Sequence, residues 1–174
     1  MLSNVELIQS LDDLEVAFQN ATSPRASTMF AKHALLELCG WIEEAEDYIV
    51  HNCATKLADP ALVCLVKERV KNNFAFHFTN KFIPLLALVV GLAKYETIRI
   101  KLIANGMYFS GLETAINNLK DPRDKHAHTH FELGKSQINA LLTGQSPNSL
   151  RQKAIDIYKG FCELEASLKR HRLM

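Results

Sequence analysis

The sequence predicts an all-α, single-domain helical bundle. Apolar residues recur at three- and four-residue steps along most of the chain, and serine, aspartate and proline pairs punctuate those runs as helix starts. Strand-like alternation is nearly absent, and there is no internal repeat or low-complexity stretch. At 174 residues the chain suits one domain, 1–174, long enough to bury about 70% of the surface its unfolded form exposes.

Taken in order, Ser3 with Glu6 reads as a capping box ahead of Val5, Ile8, Leu11, Leu14 and Phe18, which predicts a helix near 3–20. Ser23-Pro24 opens a longer helix to about residue 56, its period carried by Phe30, Leu35, Leu38, Ile42, Ala45 and Ile49. Asp59-Pro60 starts a third through Val70, and Lys71-Asn72-Asn73 breaks it. Two apolar helices are expected over about 79–104, with Asn105-Gly106 as the turn after them. Ser110 with Glu113 reads as a second capping box, and Asp121-Pro122 as a further helix start. "TGQSPNS" at 143–149 reads as a loop before a long final amphipathic helix, "LRQKAIDIYKGFCELEASLKR".

Composition narrows the function classes. Formal net charge is +1, so there is no general basic coating of the kind that drives nonspecific duplex binding, and any nucleic-acid contact must be local. The only dense basic cluster is "LKRHRLM" at the C-terminus, expected to be a solvated helix end whose cations complement the helix dipole. Cys39, Cys53, Cys64 and Cys162 form no C-x-x-C pair and are expected to be free thiols in a reducing compartment. The acidic, amphipathic start MLSNVELIQSLDDLE does not resemble a secretory signal, which predicts a cytoplasmic protein. The longest apolar stretch, Pro84 to Ala93, is about half the ~20 residues a membrane span requires and is expected to be core, with no membrane partner.

The segment "DPRDKHAHTHF", 121–131, holds three of the chain's seven histidines at alternate positions. As a metal site it offers His126 and His130 on one helical face, but no third or fourth ligand at a recognisable spacing, so no metal is assigned. As plain structure, Asp121, Pro122 and Asp124 make a good helix start, with the histidines incidental. Arg123 fits that account poorly, since a cation in a first turn opposes the dipole, and hints at a ligand.

Catalysis on a phosphodiester is the third reading. Asp124 and His128 stand four apart, so the carboxylate can meet the imidazole and fix its tautomer. Arg123 presents a permanently charged donor fork suited to a phosphate oxygen. Arg123 and His128 are five apart, about 140° around a helix, so one helix converges them poorly and a symmetric pair of helices would supply both to one cleft.

Arg123-Asp124-Lys125-His126-Ala127-His128 matches the R-x4-6-H signature of HEPN domains (higher eukaryotes and prokaryotes nucleotide-binding). The stretch resembles the R-N-x-x-A-H ending of many such helices, and length and layout are most similar to RiboL-PSP-type HEPN proteins. The resemblance covers the whole chain only as architecture. It implies a metal-independent endoribonuclease without a cofactor, acting as a homodimer, often a toxin or antiviral defence component, with a protein antitoxin as a further partner. By position Arg123 carries over as the phosphate-contacting arginine, Asp124 as the polar residue after it, and His128 as the catalytic histidine. Pro122 before the arginine departs from a motif normally carried inside a continuous helix. His130 also satisfies the upper end of the spacing, and His130 and His126 stand as secondary candidates. The alternatives are a noncatalytic HEPN-like module binding RNA, nucleotide or a partner protein, and a helical adaptor without a site.

Trp41, Tyr48, Phe74, Phe76, Phe78 and Phe82 could form a base-stacking surface, but aromatic residues at helical spacing are much more often core and are expected to be so here. His77 is expected to be packed or capping.

Overall fold

A computed structural model describes residues 2–72, 76–128 and 146–174, and the side chains of all of these but 126–128. Among the described residues the chain is all-α: α1 Val5–Gln19, α2 Pro24–Ala54, α3 Pro60–Lys71, a π-helical turn Phe78–Phe82, α4 Ile83–Val90, α5 Leu92–Asn105, α6 Phe109–His128 and α7 Pro147–Arg170. None of these helices is long and apolar enough to cross a membrane.

Local signals set most of the starts. Ser23 Oγ accepts from the Ala26 amide at 3.2 Å and Asp59 Oδ1 from the Ala61 amide at 2.8 Å, each just ahead of a first-turn proline. The first helix begins at Val5 rather than Ser3, with Asn4 in the cap position and Ser3 Oγ accepting from Val5 N at 3.4 Å. The segment expected to hold two helices holds three pieces. His77 caps the π-helical turn, its Nδ1 accepting from Asn80 N at 3.2 Å. Gly91, at φ 88°, then separates α4 from α5 in a conformation only glycine adopts without strain.

Two expectations fail at α6. The Ser110/Glu113 capping box does not form the helix start, because Ser110 already lies inside α6. A remote carboxylate does the capping: Glu163 of α7 accepts from the amides of Met107 at 3.0 Å, Tyr108 at 3.2 Å and Phe109 at 2.8 Å. Glu113 is used elsewhere, accepting from Thr79 Oγ1 at 2.8 Å and pairing with Arg99 at 3.2 Å. Asp121-Pro122 likewise starts no helix, since α6 runs through Pro122 without a break. The proline removes only the one bond its N–H would donate to the Asn118 carbonyl, and the buried row Phe109, Leu112, Ile116 and Leu119 keeps a single period up to it. In the expected loop, Pro147–Ser149 belong to α7, with Ser146 Oγ accepting from Ser149 N at 3.3 Å; 143–145 lie outside the described residues.

The chain divides into two compact units, and α2, α6 and α7 each contribute to both. The first takes Ser3–Ile42 and Asn118–Asp156. Leu7, Leu11, Leu35, Leu38, Leu119 and Leu150 are buried in it. Arg151 Nε pairs with Asp12 Oδ1 at 2.6 Å, and Glu15 accepts from the Asn148 amide at 2.9 Å, so α1 supplies an anion to the positive end of α7. Trp41 is half-buried, and its Nε1 donates to the Ser3 carbonyl at 2.9 Å.

The second unit takes Glu43–Asn117 and Ile157–Met174. Its centre is an aromatic cluster in which Phe78, Phe82 and Phe161 have centroids 5.0, 6.4 and 6.1 Å apart, all fully buried, as the core reading of the aromatics expected. Phe76 is buried, Tyr48 donates to Glu165 at 3.3 Å, and Phe74 lies outside the described residues. A Cβ at Gly160 would meet Leu112 Cδ1 at 3.1 Å, so the glycine lets α7 approach α6 closely. Among the described residues the four cysteines form no disulfide, and burial pushes the Cys53 thiol up to about 12.

Candidate functional site

The charged residues of the motif lie on the last two turns of α6 before the described side chains end. Lys120 Nζ is 2.9 Å from Asp124 Oδ2, and Arg123 Nη1 is 3.2 Å from Asp124 Oδ1. One carboxylate thus receives a cation on each oxygen. Lys120 reaches it across one helical turn, at the i, i+4 spacing that brings side chains together. Arg123 is its chain neighbour and reaches it through the length and planar fork of its side chain.

The electrostatics follow from that geometry. The Lys120 hydrogen bond, joined by the one from Arg123, outweighs burial and holds the Asp124 carboxyl below the usual aspartate range. The same bond raises the Lys120 ammonium. Asp124 therefore stays ionised at neutral pH, and the three side chains together carry one net positive charge. Arg123 is only 26% exposed, so its guanidinium is held beside the carboxylate in partial shelter from solvent screening.

Arg123 does not sit in a first turn, so its charge does not oppose the dipole at a helix start, and that hint of a ligand falls away. The backbone of His128 is the last residue of α6, on the same helix as Arg123 and Asp124. The expected contact between Asp124 and the His128 imidazole falls on a side chain outside the described residues, as does that of His126. His130 lies outside them altogether.

Lys120 was not among the sequence candidates. Its signal was present, as a lysine four residues ahead of Asp124 on a helical face. It was hidden by the expectation of a helix break at Asp121-Pro122, which would have put the two residues on different elements. Of the other histidines, His33 pairs with Glu37 at 3.2 Å and His77 caps. Among the described residues no group of three or more His, Cys, Asp or Glu side chains could hold a metal ion.

No protein-family model, no curated protein and no solved structure matches the chain.

Proposed function

We propose that this chain is a HEPN-type, metal-independent endoribonuclease in which Arg123, Asp124 and His128 form the reactive group. The observation that carries this reading is that all three belong to one uninterrupted helix, α6, with the Arg123 guanidinium held by Asp124 at 3.2 Å. Pro122 remains a departure from that motif, but it lies inside α6, and the helix is continuous through it.

The RNA's own 2′-hydroxyl attacks the adjacent phosphorus. The P–O2′ bond forms, the P–O5′ bond breaks, and the chain ends as a 2′,3′-cyclic phosphate and a 5′-hydroxyl. Imidazole takes the 2′-hydroxyl proton and an imidazolium returns one to the leaving 5′-oxygen. The Arg123 guanidinium faces the charge that builds on the phosphoryl oxygens. Asp124 holds the guanidinium in place, and Lys120 shares that carboxylate.

Arg123 and His128 stand about 140° apart around α6, so two copies of the chain related by a two-fold axis supply arginine and histidine to one cleft. A mixed dimer of Arg123→Ala and His128→Ala chains then keeps one partly intact site and regains activity that neither variant has alone. A protein that is monomeric by light scattering at micromolar concentration yet fully active overturns the shared cleft.

Incubating the pure protein with total RNA in EDTA tests the reaction. EDTA-resistant cleavage with cyclic-phosphate ends, lost in His128→Ala, is the expected result. Binding without cleavage points instead to the noncatalytic HEPN-like module.

A further inference from the structure

Along α5, the side chains of Lys94, Thr97, Lys101 and Asn105 recur at three- and four-residue steps, so they share one face about 16 Å long. Facing it is the C-terminal end of α7 with Ser167, Arg170 and His171. Two clefts of about 330 and 320 Å³ lie between them, and His171 lines both, so they adjoin along the helix. We infer that this groove binds the phosphate backbone of single-stranded RNA.

The charges of the groove are unspent. Arg99 and Lys169, on the same two helices, are tied to Glu113 and Glu165, whereas Lys94, Lys101 and Arg170 are in no ion pair among the described residues. Among the described residues that line the groove the one carboxylate is that of Glu163, and it is committed to the amides of Met107, Tyr108 and Phe109. Helix-dipole complementation explains Arg170, in the last turn of α7. It does not explain Lys94, which sits in the first turn of α5, where a cation is unfavourable and no acidic residue accompanies it.

The chemistry selects the ligand. Three cations spaced along a groove, with hydroxyl and amide donors between them and the apolar side chains of Ile98 and Leu102 beneath, suit several successive phosphates better than one. Among the described residues no Phe, Tyr or Trp lines either cleft, so the lining offers the phosphates cations and polar donors rather than the bases a stacking platform, and binding is to be sequence-tolerant and salt-sensitive. That the polyanion is RNA rests on the ribonuclease reading of α6; the groove itself does not.

The test is fluorescence anisotropy of a labelled single-stranded RNA oligonucleotide with full-length His128→Ala protein, which prevents turnover during the measurement. Adding Lys94→Ala, Lys101→Ala and Arg170→Ala together should weaken binding at least tenfold at low salt. It should also reduce the slope of log affinity against log salt by about 2, at about 0.7 per lost phosphate contact. The charge-preserving pair Lys101→Arg and Arg170→Lys should bind as the parent does, and so should Lys67→Ala with Lys71→Ala on α3. No binding by the parent, no loss in the triple variant, or an equal loss from the α3 pair overturns the assignment. The two readings fail separately. Binding that depends on the three cations, in a protein whose wild type does not cleave RNA, sinks the nuclease and keeps the groove. Cleavage that depends on His128, with binding indifferent to the cations, does the reverse.

Discussion

Glu163 Oε2 accepts a hydrogen bond from the Phe109 amide at 2.8 Å, joining residues 54 apart in the sequence. The start of the helix that carries Arg123 is thus set by a carboxylate of α7. Bonds from amides to a charged acceptor contribute about 1.5–3 kcal/mol each in net terms, and losing a cap costs about 0.5–2 kcal/mol. Glu163→Ala is expected to lower unfolding stability by about 2 kcal/mol in urea titration, and Glu163→Gln by less. A Cβ at Gly106 would stand 2.5 Å from the Leu102 carbonyl oxygen and 2.7 Å from Glu163 Oε2, so Gly106→Ala should also destabilise, first by its clash with the backbone of α5 and then by crowding that cap. Unchanged urea midpoints would mean the carboxylate is idle.

Buried Glu46 makes stability depend on pH. It is 7% exposed, and its Oε1 has no hydrogen-bond partner. Burial foremost, then the charges of Asp47 and Glu43, raise its carboxyl well above 4.5. The unfolded chain gives up this proton near the ordinary value while the folded chain keeps it. The stability present at lower pH is therefore lost as pH rises from that value through the raised one. The melting-temperature advantage of Glu46→Gln over the wild type should be small near pH 4 and grow towards pH 8. A difference that stays flat with pH would show that Glu46 ionises normally.

The proposed chemistry separates two neighbouring histidines. His128→Ala should lower RNA cleavage by about 10²- to 10⁴-fold with helicity by circular dichroism intact, the usual cost of removing a general acid or base. His126→Ala should keep most of the activity. Asp124 is held below its ordinary value, so the pH–rate profile between about 5 and 8 should report imidazole, not this carboxylate. Equal losses from both histidine substitutions would remove His128 from its role.

Arg172 ends α7 in the left-handed region at φ 58°, with its amide on the Lys169 carbonyl at 2.9 Å and the Leu173 amide on the Leu168 carbonyl at 3.0 Å. That is the bond pair of a Schellman cap, whose left-handed position favours glycine. A non-glycine side chain there costs about 1–2 kcal/mol, of which part returns as the greater freedom of glycine in the unfolded chain. Arg172→Gly should raise stability by about 0.5–1 kcal/mol by urea midpoint. A fall would mean that the arginine side chain contributes more than its backbone costs.

What the sequence determined by itself is what depends on near neighbours. Apolar spacing placed the helices, and Ser23 and Asp59 announced α2 and α3 because each cap accepts from an amide two or three residues ahead. The linear motif from Arg123 to His128 was legible for the same reason, as spacing on one helix. The tertiary structure decided what depends on distant partners. Ser110 with Glu113 had the form of a cap, but the helix starts a residue earlier, where Glu163 accepts from the amides of Met107, Tyr108 and Phe109, and Glu113 goes to Thr79 and Arg99. Asp121-Pro122 had the form of a start, yet a helix already anchored by buried Leu112, Ile116 and Leu119 tolerates the loss of one backbone bond. Lys120 was legible as a lysine four residues ahead of Asp124, and only the expected break at Asp121-Pro122 masked it. The groove between α5 and α7 was invisible for a physical reason: a local pattern gives the bonds a segment can make, and only packing decides which partner arrives to make them.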